Sequence, residues 1–231
     1  MKKTIVIILL AAFGYFMATT FLDPEFEKHR NQNGVKNGYL EKTVSELKSA
    51  NTVTSIIVSF RGFDTLGEVT VLFLAASALG SVLFKKRHHV GERSILLPAS
   101  SIVSTGAKLL FPAIILLGVY VFIHGHLTPG GGFQGGTIIA TGFLLMLIAY
   151  RNFSISHNVL SVIESLAGIL FVVIGLLGFM NGGTFLQNFM PTGSLNNLFS
   201  GGIIPIIYIL VGFKVATELT GLIYTILHEK G

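Results

Sequence analysis

Apolar residues along the chain fall into six long runs, separated by polar or glycine-rich segments. Each run is apolar on nearly all sides, as a helix surrounded by lipid or by other helices must be. Runs of about twenty such residues match a bilayer core roughly 30 Å thick. The pattern therefore predicts an all-α fold, an integral membrane bundle of about six transmembrane helices. The predicted spans are residues 4–22, 65–84, 106–123, 135–150, 159–180 and 203–227.

The first run, residues 4–22, has a second interpretation as a cleaved signal peptide, because Lys2 and Lys3 precede an apolar centre. The run is long and ends without a clear small-residue cleavage site, which favours a retained helix. With either outcome, residues 23–51 stay on the same side of the membrane. That segment carries five acidic and five basic side chains, and we expect a solvated or partner-covered loop with a short surface helix at residues 39–49.

The second span is interrupted near its start. Residues 52–60 are apolar but short, and Arg61 follows them. Thr65 and Glu68 fit a capping box, with Thr65 as the N-cap and Glu68 reaching back to it. If residues 53–60 are also helical, the element is a broken helix. Such a break persists in a membrane only where protein or water surrounds it.

The bend between the third and fourth spans is crowded with glycine, since residues 124–136 have the sequence HGHLTPGGGFQGG. Proline fixes one backbone angle, and glycines permit left-handed conformations and close backbone approach. We expect a structural turn at the membrane surface that binds no ligand. The glycines formally match G-x-G-x-x-G, but no strand precedes them and no P-loop lysine follows, so nucleotide binding is excluded. The residues predicted to shape the turn are Pro129, Gly130, Gly131, Gly132, Gly135 and Gly136.

Composition agrees with a membrane protein and narrows its chemistry. Hydrophobic residues make up 51% of the chain, charged residues 12%, and the mean hydropathy is +0.73. The absence of cysteine excludes disulfides, thiolate chemistry and cysteine-ligated metal centres. The histidine pairs at 88–89 and 124–126 supply too few ligands for a metal site. No nucleophile–base–acid arrangement is present, so we expect no cofactor and no catalytic chemistry of its own.

Basic residues set the predicted topology. The net charge of +5 resides mostly in loops beside apolar runs, and we see no nucleic-acid-binding patch in it. The strongest cluster, residues 85–93, is placed in the cytoplasm by the positive-inside rule, together with both termini. Residues 181–202 carry no charge and are placed outside. The basic residues of 23–51, which this topology places outside, disagree with the positive-inside rule. The prediction is a multi-pass protein of the cytoplasmic (inner) membrane.

Ionisable side chains inside or at the edges of the spans are the candidates for function, because charges in a membrane are costly and usually face a bundle interior or a water path. Lys214 and Glu218 are four residues apart and share one helix face. Lys108 and Glu164 fall in the same half of their helices, which predicts a polar seam of four charges. The alternatives are an ion or proton path and two ion pairs that only fasten helices. The path residues are predicted to be Asp64, Glu68, Lys108, Glu164, Lys214 and Glu218.

Arg61 is predicted to be the charge partner of the acidic residues at the start of the second span. Asp64 and Glu68 are four apart, and Arg61 lies one turn before Asp64. They form either a cation-attracting pair balanced by an arginine, or a helix cap with a local salt bridge.

Several of these motifs resemble the Mrp-type multisubunit sodium/proton antiporters. Residues 61–71 (RGFDTLGEVTV) resemble the C-terminal segment of the large A subunit. Residues 110–120, 124–126 (HGH), 128–136 (TPGGGFQGG) and 218–221 (ELTG) resemble the B subunit. The resemblance divides the chain into an A-like part, 1–86, with two transmembrane helices and a polar outer loop, and a B-like part, 87–231, with four.

The resemblance implies an accessory membrane subunit of a cation/proton exchanger, contributing to its assembly and its ion route. The implied partners are other subunits of the complex, Na⁺ and H⁺, and the lipid bilayer. Related modules occur in membrane-bound hydrogenases, where the two pieces are usually separate chains, so a complex with a redox arm is the alternative. A purely structural membrane scaffold is the second alternative. The chain lacks the long antiporter helix bundle of a full A subunit and is not expected to be the principal pump.

Overall fold

The computed structural model describes residues 2–22, 34–85, 99–150 and 153–228, and within these ranges the regular structure is entirely helical. The chain forms two compact units, residues 1–42 and 43–231. Most of the basic cluster that supports the predicted orientation, residues 86–93, lies outside the described residues, as do Arg151 and Lys230.

The helices follow the predicted order, but the short helix expected at residues 39–49 begins and ends four residues earlier. They are α1 (Lys2–Leu22), α2 (Val35–Ser45), α3 (Thr52–Thr54) continued by a π-helix (Ser55–Phe60), α4 (Gly62–Lys85), α5 (Ser101–Ile123), α6 (Gly132–Ala149), α7 (His157–Gly182) and α8 (Ile204–His228). In the described residues, five helices, α4 to α8, are long and apolar enough to cross a membrane. The apolar part of α1, Val6–Thr19, is shorter. The all-α membrane bundle is confirmed, and a sixth span through α1 stays a prediction.

The predicted broken helix is present, and its break lies at Arg61. Asn51 begins the first piece by accepting hydrogen bonds from the backbone N–H groups of Val53 and Thr54. After the π-helix, Arg61 forms a turn and α4 begins at Gly62.

The predicted capping box is wrong, because Thr65 lies one turn inside α4. The buried hydroxyl of Thr65 donates to the carbonyl of Ile57, at 2.8 Å, across the break. The local pattern could not show this contact, because the acceptor belongs to the π-helical segment on the other side of Arg61.

Helix α8 is the centre of the second unit and packs against α4, α5, α6 and α7. Its buried residues recur three or four apart, which is the spacing of one helix face. This face meets Val58 of the π-helix, Val69 of α4 and Phe171 of α7. On another side, Ala216 packs with Phe122 of α5 and Ile139 of α6. The core residues of α8 are Ile204, Ile207, Tyr208, Val211, Val215 and Ala216.

Glycines bring α6 very close to its neighbours. A Cβ added at Gly135 would lie 2.5 Å from the carbonyl oxygen of Gly118 on α5. A Cβ at Gly136 would lie 2.7 Å from the carbonyl oxygen of Gly212 on α8. None of the glycines in residues 124–136 adopts a left-handed conformation, and Gly131 is extended. The glycines of the bend therefore serve close approach, and the expected use of left-handed backbone is wrong.

Candidate functional site

A cross-helix cluster of three charges lies between α7 and α8. The Nζ atom of Lys214 is 3.4 Å from Oε1 of Glu164 and 3.5 Å from Oε2 of Glu218. Lys214 and Glu218 meet because residues four apart lie on the same helix face. Glu164 joins them because α7 packs along α8. The predicted pairing of Lys214 with Glu218 is confirmed, and Glu164 completes the cluster.

The cluster is enclosed and contains more carboxylates than cations. The side chains of Glu218, Lys214 and Glu164 are 2%, 11% and 21% exposed. The ammonium group also lies 5.1 Å from the ring centre of Phe73 on α4. With both carboxylates ionised, the three groups carry one net negative charge in surroundings where an uncompensated charge is costly. The arrangement can therefore take up a proton or a monovalent cation.

Lys108 is not part of this cluster. Its side chain is exposed on α5, and its Nζ atom lies 5.3 Å from the ring centre of Tyr150. Tyr150 is held in turn by a hydrogen bond from its hydroxyl to the carbonyl of Ser104, at 2.6 Å. The expected seam of four charges is therefore wrong, because the spacing gives depth along each helix but not the direction that each side chain takes.

The charges at the start of α4 lie on its surface. Arg61 and Asp64 form an ion pair, with side chains 61% and 50% exposed. This pair is the predicted local salt bridge, and exposed pairs of this kind stabilise a fold little. Glu68 is exposed, and among the described residues its carboxylate forms no ion pair.

The bend before α6 is fixed by the segment that precedes α3. The side-chain amide of Asn51 donates to the carbonyls of Gly125 and Thr128, at 2.9 and 3.0 Å. The carbonyl of His126 accepts from the backbone N–H groups of Ala50 and Asn51. These bonds join segments that are 74 to 77 residues apart in the sequence. Sequence reasoning missed Asn51, although an asparagine before an apolar run is an N-cap signal.

A second contact joins the same bend to α8. The hydroxyl of Tyr208 donates to Oγ1 of Thr54, and Thr54 donates to the carbonyl of Gly125, at 2.9 and 2.6 Å. A Cβ at Gly125 would lie 2.6 Å from the Tyr208 ring, so glycine is required for this approach.

The imidazole of His126 is fully buried in this junction. Burial lowers the pKa of His126, the backbone of Asn197 opposes this shift, and the nearby His124 adds to it. His126 is therefore a neutral core residue of the junction near neutral pH.

Comparison with known proteins identifies two family models along the chain. Residues 102–221 match a model described as "Domain related to MnhB subunit of Na+/H+ antiporter". Residues 3–101 match the MbhE model, which describes the E subunit of MBH. The chain is also 32% identical to an uncharacterized protein of Methanocaldococcus jannaschii, over 78% of each sequence.

Two solved structures share the fold. A chain of the membrane-bound sulfane sulfur reductase, an archaeal respiratory membrane complex, is 44% identical with a TM-score of 0.81, and the match covers 98% of both chains. A chain of the Mrp complex from Dietzia sp. DQ12-45-1b is 24% identical with a TM-score of 0.73. That match covers 97% of this chain and 26% of the Dietzia chain.

Proposed function

Because the chain belongs to the family of domains related to the MnhB subunit of Na⁺/H⁺ antiporters, we propose that it is a membrane subunit of a multisubunit cation/proton exchanger that supports assembly and forms part of the ion route. The resemblance of residues 61–71 to the antiporter A subunit supports the same assignment. In this proposal the partners are other subunits of the complex, and the transported species are H⁺ and a cation such as Na⁺.

The observation that carries the ion route is the cluster of Glu164, Lys214 and Glu218. A purely structural pair would balance one carboxylate with one cation. Here two carboxylates, one of them almost fully buried, share the same ammonium group. Ionisable groups inside a membrane mark ion or proton pathways by default, because their cost is otherwise unrecovered. Three further residues predicted for the ion path lie outside the cluster, namely Asp64, Glu68 and Lys108, with Arg61 as their charge partner. They remain part of the proposed ion route.

The parent complex is proposed to be a respiratory assembly with an antiporter-like membrane part. The favouring observation is the 44% identity, over nearly the whole chain, to a subunit of an archaeal respiratory membrane complex. A stand-alone antiporter is the second candidate, favoured by the match of residues 102–221 to the antiporter-related family. In both, we place the protein in the cytoplasmic membrane with both termini in the cytoplasm.

Purification of the tagged chain from its native membrane in mild detergent tests the proposal. We expect co-purification of antiporter-like membrane subunits. Additional redox subunits would select the respiratory branch, and antiporter subunits alone would select the other. A chain that purifies without any such subunit would contradict the proposal.

The ion route needs a second measurement on the same complex. In vesicles, replacement of Glu218 by Gln is expected to abolish cation/proton exchange while the subunit composition stays unchanged. Glu46→Gln makes the same chemical change at an exposed position outside the membrane helices and serves as the control. Full exchange in the Glu218→Gln complex would leave only the scaffold role.

A further inference from the structure

A cavity of about 410 Å³ lies between α4, α7 and α8, with Glu164 and Glu218 in its wall. It is bounded by apolar residues of α4 and α8, but hydroxyl and imidazole groups interrupt this wall. Those polar groups are Ser77, Ser81, His157 and Thr225.

The cavity reaches from one end of the helices to the charge cluster. His157 is the first residue of α7 and is exposed, and Glu164 follows it by seven residues. On α8, Thr225 follows Glu218 by seven residues toward the end of the helix. At about 1.5 Å per residue, each interval is roughly 10 Å along the helix axis. The two carboxylates therefore form the inner end of the cavity, and His157 lies at its mouth.

The unequal exposure of the two carboxylates indicates how the cavity meets the cluster: the side chain of Glu164 is 21% exposed and lines the cavity. The side chain of Glu218 is 2% exposed, and both of its carboxylate oxygens are buried and accept no hydrogen bond from the described residues. Its one ion pair, to Lys214, is shared with Glu164. A partly exposed carboxylate such as Glu164 is stabilised by ordered water where the site is polar and large enough. This cavity is many times larger than one water molecule.

The hydroxyl groups along the cavity can hold such water. Ser81 donates its hydrogen to the carbonyl of Ala78, and Thr225 donates to that of Gly221. Their oxygen atoms keep lone pairs that accept from water or bind a cation. Both groups lie nearer the mouth than the carboxylates do, where a purely lipid-facing groove would need no polar atoms.

We propose that this cavity is a water-filled vestibule that admits protons and hydrated monovalent cations from one side of the membrane to Glu164, the accessible carboxylate of the cluster that also holds the buried Glu218. The inference rests on the proposed function. It adds the side of the membrane from which the ions enter, the path that they follow and the residues that line this path. By the predicted topology, the mouth at His157 opens to the cytoplasm.

Single cysteines test the vestibule, because the chain has none of its own. Ser77→Cys places a thiol in the cavity wall. Ala78→Cys is the matched control, since Ala78 is the next residue of α4, is exposed and does not line the cavity. His157→Cys marks the mouth. The whole complex in vesicles is treated with a small, impermeant, cationic methanethiosulfonate, and the mass of this chain is measured.

A thiol reacts as its thiolate, which forms in water and is suppressed in apolar surroundings. We therefore expect Ser77→Cys to react at least about tenfold faster than Ala78→Cys, and from the same side as His157→Cys. Equal, slow reaction at both positions would overturn the vestibule and would mean that a lipid chain or a partner helix fills the space. If Ser77→Cys lowers assembly, the pair Ser81→Cys and Val82→Cys repeats the comparison one turn nearer the mouth.

Exchange measured on the labelled complexes separates this inference from the proposed function. A complex in which Ser77→Cys is modified and cation/proton exchange is lost supports both the vestibule and the ion route. Modified Ser77→Cys with full exchange keeps the vestibule and contradicts the ion route. An unreactive Ser77→Cys, in a complex whose exchange still requires Glu218, keeps the ion route and contradicts the vestibule.

Discussion

Lys214 on α8 lies 3.4 Å from Glu164 on α7, a residue fifty positions earlier in the chain. This contact brings a second carboxylate to a lysine that Glu218 already neutralises from its own helix. This excess of one carboxylate is the feature on which the proposed ion route rests.

The first prediction separates an ion route from a structural ion pair. Lys214→Met leaves both carboxylates without a cation, and loss of one partner from a buried ion pair costs about 3–5 kcal/mol. Lys214→Met combined with Glu218→Gln removes most of that cost, so the double variant should assemble better than the single one. We expect the assembled double variant to be inactive in vesicle exchange assays over a pH series. Recovery of exchange together with assembly would show that the pair only fastens helices.

The second prediction concerns the close approach of α6 to α8. A Cβ at Gly136 would meet the carbonyl of Gly212 and the side chain of Val215, so Gly136→Ala must push the helices apart. Overpacking of this kind costs about 1–3 kcal/mol. We expect a lower thermal midpoint of the purified complex. Gly106→Ala, on α5, is the control because nothing lies within 4 Å of its added Cβ. Equal midpoints for the two variants would show that the helices adjust freely.

The third prediction concerns the bend itself. Gly131→Val adds a branched side chain against Gln134 and the ring of Tyr208. We expect reduced assembly of the complex, with normal exchange per assembled complex. A variant that assembles fully and loses exchange would point to a direct role of the bend.

The fourth prediction concerns the contact between Asn51 and the bend before α6. Asn51→Ala removes two donated hydrogen bonds to the bend and the cap of α3. Since unsatisfied buried groups cost about 1–3 kcal/mol, the thermal midpoint should fall. Asn181→Ala, which loses one exposed bond to Leu177, should change it little. Similar midpoints for both variants would mean that water replaces the Asn51 contacts.

The fifth prediction is a pH dependence at the same bend. Burial lowers the pKa of His126 below its ordinary 6.5, so below that pH the unfolded chain binds a proton that the native chain does not. Stability should therefore fall as the pH drops through about 6.5. His126→Gln should flatten this dependence in thermal unfolding, and His124→Gln should do so less. An unchanged slope in His126→Gln would assign the effect to other groups.

The hydrophobic pattern by itself determined the membrane helices and most of their bounds, because lipid and the interior of a helix bundle both require apolar side chains on every turn of a span. The four-residue spacing likewise placed Lys214 beside Glu218, since the geometry of one helix decides that contact. The sequence motifs were also sufficient to identify the antiporter-related family, since residues 128–136 form a long and specific motif.

Only the tertiary structure decided which helices face each other. It brought Glu164 to Lys214 and directed Lys108 to Tyr150 instead, although both lysines lie in helices of similar length and composition. It also replaced the expected cap at Thr65 by a hydrogen bond across the break to Ile57. It showed that the glycines of the bend serve close packing. Each of these contacts joins segments whose relative rotation is set by side-chain packing, and no periodicity within one segment records that rotation.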